Sequence, residues 1–252
     1  MRGLLVWLLL ALAAMARAAM AADPDDAFFV RAGNEAISTR ATPGLALSVV
    51  RHGTIPFEGG FGSSDTATNA AVTARTRFAI GSLTKQLTAA AIELLARDGK
   101  LSLDDRLATF VPSLPNAQAI TVRMLLLQNS GLHNYPDTRE HDWPMRGPVA
   151  TSSIIATLAT DKPDFAPGTQ WEYSNANYAA LAAVAESAGA LPFGELLQRR
   201  IFTPLRMQQS GYGYAAQISS SVATGYRNGV VEEPLVSLDL FSGAGGAVST
   251  AH

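Results

Sequence analysis

Ser82 and Lys85 stand three residues apart in FAIGSLTKQLTAAAIELLARDGK, a stretch that begins at Phe78. Lysine is scarce: it occurs at Lys85, Lys100 and Lys162, and arginine supplies the remaining positive charge. On a helix, residues three apart share a face, so this spacing sets an amine beside a hydroxyl. A serine hydroxyl is a weak nucleophile that needs a base, and lysine can give up its proton where arginine cannot. A free lysine titrates near 10.4, so about one in 2,500 is neutral at pH 7; burial lowers that value by ~3–5 units. Two schemes fit. Lys85 is neutral and takes the serine proton, or it stays charged and lowers the pKa of a neighbouring base. The plainer alternative is a capping serine followed by a lysine whose stem lies along apolar surface.

A second constellation lies in WEYSNANY, where Tyr173-Ser174-Asn175 follows the turn APGTQ and precedes a helix. A tyrosine hydroxyl beside an ammonium can act as a general base. An asparagine offers a donor and an acceptor to a substrate amide. The alternative here is a packed tyrosine with Asn175 as the helix N-cap.

The elements that must position these residues follow from periodicity. GLALSVVRHGTIPFEGGFGSS, from Gly44, predicts a hairpin over about 44–62 with its turn at His52-Gly53 and His52 at the surface. Gly59, Gly60 and Gly62 predict a bulge or a close backbone approach. Leu83, Leu87, Ala91, Leu94 and Leu95 form an apolar stripe at helical spacing, with Gly99 as the stop. Ser82 then sits at a helix start, where unpaired N–H groups can help hold an oxyanion. SLDDRLATFVPSLP predicts a short helix, TVRMLLLQNSGL a helix closing near Ser130-Gly131, NANYAALAAVAESAGA one ending at Gly189, and PFGELLQRRIFTPL another. The region from about 79 to 240 is thus expected to be mostly helical.

Together these stretches resemble the serine beta-lactamase and penicillin-binding protein family, in the branch with a tyrosine second motif that includes class C beta-lactamases, DD-carboxypeptidases and esterases. FAIGSLTK is similar to its nucleophile block and WEYSNANY to its second block. LLLQNSGL is similar to a block in which Gln128 and Asn129 replace the usual pair, and SGAGGAVSTA to a later Gly-rich block. The resemblance implies an α/β fold (an α+β sandwich), with an antiparallel sheet, flanking helices and a helical subdomain. It implies that Ser82 attacks a carbonyl, that Lys85 and Tyr173 move the proton, and that Asn175 orients the acyl side chain. The substrate would be a beta-lactam, a D-alanyl peptide or a simple ester, with no metal and no cofactor. The family's third motif, Lys or His followed by Thr or Ser and Gly, does not occur after Gly246. The C-terminal strands that complete the sheet are therefore expected to be missing. Ser249 or Thr250 would cap a helix that does not follow, and residues 22–252 would form an incomplete hydrolase domain of low solubility and little turnover.

Composition narrows the classes. The net charge of −2 and the absence of a basic patch argue against nucleic acid as a partner; a small molecule or peptide fits better. With no cysteine, disulfides, thiolate metal sites and cysteine nucleophiles are excluded. No Gly-x-Ser-x-Gly occurs, so an α/β-hydrolase elbow is unsupported. His133 and His141, with Asp137, Glu140 and Asp142, read as a solvated loop rather than a metal site. Arg2, the apolar run from Leu4 to Ala14 and the small residues Ala19-Met20-Ala21 read as a secretory signal over residues 1–21. The run is short for a span of about 20 residues, so a periplasmic or secreted protein is expected, without stable membrane insertion after cleavage. The competing function class is a non-catalytic binder that keeps the cleft.

Overall fold

The structure is a computed structural model that describes residues 24–40, 42–136, 146–217, 222–227, 230–231 and 236–252. The expected signal segment, residues 1–21, lies outside them. The chain divides into two units, one running to Ala74 and including Ala251–His252, the other Arg75–Thr250.

In the first unit, helix α1 (Pro24–Ser38) packs on strands β1 (Gly44–Arg51) and β2 (Thr54–Asp65), and β3 (Ala70–Ala71) completes an antiparallel sheet in the order β1-β2-β3. The hairpin turns at His52-Gly53 with φ of 50° and 76°, and His52 is exposed. Leu45 pairs with Phe61 and Val49 with Phe57. Phe57 and Val72 are buried, and the Phe29 ring lies 5.3 Å from that of Phe57. The glycines do mark a close approach: a Cβ on Gly60 would lie 2.3 Å from the Val72 carbonyl oxygen. Helix α1 is an addition to the elements that periodicity predicts.

The second unit begins with β4 (Phe78–Ala79), a 3-10 turn (Gly81–Leu83) and α2 (Thr84–Arg97). After a 3-10 turn at Leu107–Thr109 come α3 (Val122–Leu126), α4 (Thr151–Leu158), α5 (Asn175–Gly189) and α6 (Phe193–Leu197). Then follow β5 (Gly211–Tyr212), α7 (Gly213–Gln217), β6 (Tyr226–Arg227), β7 (Val230–Val231), a 3-10 turn (Leu238–Phe241) and β8 (Ala247–Ser249). β8 is the middle strand of an antiparallel sheet ordered β4-β8-β5, pairing Ala79 and Gly211 with Val248.

Helix α5 is the axis of this unit, packing against α2, α3, α4 and α6. Its alanines, Ala176, Ala179, Ala180, Ala182 and Ala185, are buried and let neighbouring helices approach closely. Around its Leu181, Ile92, Leu95, Leu125, Ile154 and Phe193 complete the core, each stabilising by roughly 1.5–3 kcal/mol when fully buried.

Several expectations need correction. The face that α2 buries is Thr84, Lys85, Thr88, Ala91, Ile92 and Leu95, while Leu83 is exposed. The polar first turn faces inward because the Thr84 hydroxyl accepts from Ala247 N–H and the Thr88 hydroxyl donates to the Gly243 carbonyl. The helix expected to close near Ser130-Gly131 stops at Leu126, since Gln128 turns the chain with φ 61°. The SLDDRLATF stretch makes only the 3-10 turn, and the last expected helix changes after Leu197 into a π-helical turn, Gln198–Phe202. α4 was not foreseen. Ser249, one of the two expected caps, lies in β8, and its hydroxyl bonds that of Ser210 at 2.8 Å.

Two glycines separate strain from crowding. Gly99, with φ 69°, has open space where a Cβ would be, whereas a Cβ on Gly243, with φ 65°, would lie 2.1 Å from the Tyr178 carbonyl oxygen in α5. Gly99→Ala should destabilise by about 1 kcal/mol, and Gly243→Ala by more, on the order of 3 kcal/mol or above. Chemical denaturation of the two variants measures the difference.

Candidate active site

Ser82 lies on the exposed 3-10 turn that leads β4 into α2, one turn before Lys85. The Ser82 hydroxyl is 2.8 Å from the Tyr173 hydroxyl, and Lys85 Nζ donates to it at 3.3 Å. Lys85 is 9% exposed. Its Nζ also donates to Asn175 Oδ1 and to the Ala244 carbonyl oxygen, both at 2.9 Å. As an ammonium it has three N–H donors and meets three acceptors. It also lies 4.7 Å from the Tyr173 ring centroid and 5.4 Å from that of Tyr178, within reach of cation–π attraction.

This inventory fixes the direction of the remaining protons. With Lys85 donating to Ser82, the serine proton is free to point at Tyr173. The Tyr173 hydroxyl in turn donates weakly to Asn175 Oδ1 at 3.4 Å. Burial pushes the Tyr173 phenol up, but its hydrogen bonds with Lys85 and Ser82 and the Lys85 charge outweigh that and hold it below the ordinary phenol value. Tyr178 moves the other way: burial raises it, and Tyr173 adds to the rise.

The segment carrying Tyr173 lies outside any helix or strand, and the extended Ser174, not Asn175, caps α5 by accepting from Ala176 N–H. Asn175 is tied down on three sides. Its backbone N–H donates to Asn134 Oδ1 at 2.7 Å, Nδ2 donates to the Tyr135 carbonyl at 2.9 Å, and Oδ1 receives Lys85. Both ends of its amide are thus engaged within the protein. The structure brings Ser82, Lys85, Tyr173 and Asn175 together. It does not add the histidines: His133 Nδ1 is 2.8 Å from Asp164 Oδ1. Asp137, Glu140, His141 and Asp142 lie outside the described residues.

Sequence reasoning missed the Ala244 carbonyl and the residues behind Tyr173. The carbonyl is a backbone atom in SGAGGAVSTA, where residue type carries no signal. Its place is held by Tyr212, whose hydroxyl accepts from Gly243 N–H at 2.6 Å and whose ring packs edge-on against Phe193. Behind Tyr173, Gln128, Ser130 and Asn177 form a buried polar cluster. The quoted LLLQNSGL block held the signal for two of them.

A family profile described as Beta-lactamase matches residues 12–252. The chain belongs to the beta-lactamase family. It is 29% identical over 179 residues to PbpX of Bacillus subtilis, a protein provisionally named as penicillin-binding, covering 71% of this chain and 44% of the relative. Among solved structures it is similar to the octameric penicillin-binding protein homologue from Pyrococcus abyssi, with TM-score 0.72 and 27% identity over 89% of this chain and 52% of that one. It is also similar to the D-amino acid amidase from Ochrobactrum anthropi, with TM-score 0.71 and 26% identity over 84% of this chain and 63% of that one. The chain therefore spans less than two thirds of the length of each of these relatives. The family is one of serine hydrolases that act on amides or esters.

The electrostatics of the site give a direct check. Removing the ammonium removes a charge and donors that favour the phenolate. Lys85→Met should therefore move the Tyr173 titration upward, toward the ordinary value near ~10. Near-ultraviolet titration, read as the difference from the same protein carrying Tyr173→Phe, isolates this group from the other tyrosines.

Proposed function

We propose that this protein is an exported serine hydrolase that forms an acyl-enzyme on Ser82 and hydrolyses an amide or an ester. The observation that carries the reading is the Ser82 hydroxyl held between the Tyr173 hydroxyl at 2.8 Å and Lys85 Nζ at 3.3 Å. A nucleophile in contact with its base, with that base held by a third group, is the arrangement acyl transfer needs.

In this mechanism Ser82 Oγ attacks the carbonyl carbon while its proton passes to the Tyr173 oxygen, 2.8 Å away. The form of Tyr173 that takes the proton is the phenolate, which the hydrogen bond and charge of Lys85 favour. The Ser82 N–H, in the first turn before α2, is one donor to the oxyanion. The tetrahedral intermediate collapses, the bond from carbon to the leaving nitrogen or oxygen breaks, and Tyr173 returns its proton to that atom. Water then gives a proton to Tyr173 and attacks the acyl carbon, the bond from that carbon to Ser82 Oγ breaks, and Tyr173 returns the proton to Ser82 as the acid leaves. Asn175, fixed by Asn134 and Tyr135, lies at the edge of the site and orients the acyl side chain.

The carbonyl can belong to a beta-lactam, a D-alanyl peptide or a simple ester. The similarity to penicillin-binding proteins and to a D-amino acid amidase supports an amide of a D-amino acid or peptide. The apolar run from Leu4 to Ala14 and the small residues that follow support export to the periplasm or medium.

Ser82→Ala should abolish covalent labelling by a fluorescent penicillin or an activated ester and leave the thermal unfolding curve in place. Tyr173→Phe and Lys85→Arg should each slow acylation on the order of 10²–10⁴-fold. Wild-type rates in Tyr173→Phe would remove it as the base, and a chain of these residues that no acylating probe labels would be a non-catalytic binder or an inactive, incomplete domain.

A further inference from the structure

The residues that present Tyr173 to Ser82 receive little support from packing. Trp171, Glu172 and Tyr173 are exposed, and the segment from Trp171 to Ser174 belongs to no helix or strand. Its backbone is held by hydrogen bonds, and two of them go to one residue. The Gln128 carbonyl accepts from Glu172 N–H at 3.1 Å, and Gln128 Oε1 accepts from Ser174 N–H at 3.0 Å. In an extended chain the N–H groups of residues two apart point to the same side. Gln128 therefore grips the amides on either side of Tyr173, as a neighbouring strand would.

Several features adapt Gln128 to this task. Its φ of 61° is unusual for a residue with a side chain. It is 8% exposed, so the lost hydration of its amide must be replaced by internal bonds. Oε1 uses its second lone pair to accept from Asn177 Nδ2 at 2.6 Å, and Asn177 Oδ1 accepts from the Ser130 hydroxyl, which itself accepts from Leu132 N–H at 3.0 Å. Asn177 is on the first turn of α5, so the clamp is anchored to the core helix.

We propose that Gln128 is a positioning residue that sets the distance from the Tyr173 hydroxyl to Ser82 and Lys85 by holding Glu172 and Ser174. The inference rests on the reading of Tyr173 as the base. It requires an acceptor at this position, because both donors that Oε1 meets are N–H groups. Among the described residues, the titratable groups that interact with the Tyr173 phenol are Lys85 from α2 and Tyr178 from α5. A drift of Tyr173 away from Lys85 and Ser82 loses the contacts that hold its phenol down.

The test compares Gln128→Met, which keeps length and loses the acceptor, with Gln128→Glu, which keeps it. Two readouts are taken: the acylation rate with a fluorescent penicillin or activated ester, and the Tyr173 titration as a difference from Tyr173→Phe in the same background. Gln128→Met should acylate slower on the order of 10²-fold, the effect of a displaced catalytic group, and its Tyr173 titration should move upward. Gln128→Glu should recover most of the rate. Wild-type acylation in Gln128→Met, slow acylation with an unmoved titration, or no recovery with Gln128→Glu would each overturn the proposal. Should Gln128→Met fail to fold, the rate of Gln128→Glu decides: near wild type supports the clamp, and a loss as large as 10²-fold contradicts it. If no probe acylates even the wild-type protein, the reading of the reaction fails by itself, and the titration still decides whether Gln128 holds Tyr173 in place.

Discussion

An ammonium at 9% exposure must find acceptors for its N–H groups, because a buried charge left unpaired costs several kcal/mol. Lys85 takes them from three places. Ser82 is one helical turn away, while Asn175 and Ala244 lie 90 and 159 residues along the chain. The requirement to complete this shell draws together the start of α2, the first turn of α5 and the Gly-rich turn before β8. The same three segments form the site, so solvation of one charge and assembly of the chemistry are a single constraint.

The surrounding structure serves that constraint in graded layers. Thr84 and Thr88, on the Lys85 side of α2, bond Ala247 and Gly243 and so bring the Ala244 carbonyl within reach. Tyr212 supports Gly243 from the other side, and its own phenol is pushed up by burial, so it stays a neutral hydroxyl that accepts from an amide. Asn134 and Tyr135 fix Asn175, and Gln128 spans the amides beside Tyr173. Helix α5 carries little polarity except in its first turn, where Asn175 and Asn177 face these partners. Its small buried residues let α2 pack close, and that closeness brings Lys85 to Asn175.

What the sequence disclosed followed from residue type and spacing. Ser82, Lys85, Tyr173 and Asn175 were legible because few side chains perform their chemistry and because Ser-x-x-Lys and Tyr-x-Asn spacing is local. The hairpin was legible from His52-Gly53 and α5 from its apolar run. Failures came where tertiary contact overrode local pattern. The stripe of leucines predicted Leu83 inside, but the partners of Lys85 rotate α2 so that Thr84 and Thr88 are buried. LLLQNS continued a helical pattern, yet Gln128 turns left-handed to meet Glu172 and Ser174. The Ala244 carbonyl was invisible in principle, since every residue has one. Strand β8 at Ala247–Ser249 was not legible, because it is held between β4 and β5 by pairings that no local signal encodes.

The central claim is that the geometry around Ser82 makes its oxygen the atom that takes the acyl group. Mass spectrometry of the protein quenched during reaction with a penicillin or an activated ester, followed by proteolysis, tests this most directly. The account predicts one added acyl group, carried by the peptide that contains Ser82. An adduct on another residue, or turnover of the substrate without any adduct passing through Ser82, would contradict it.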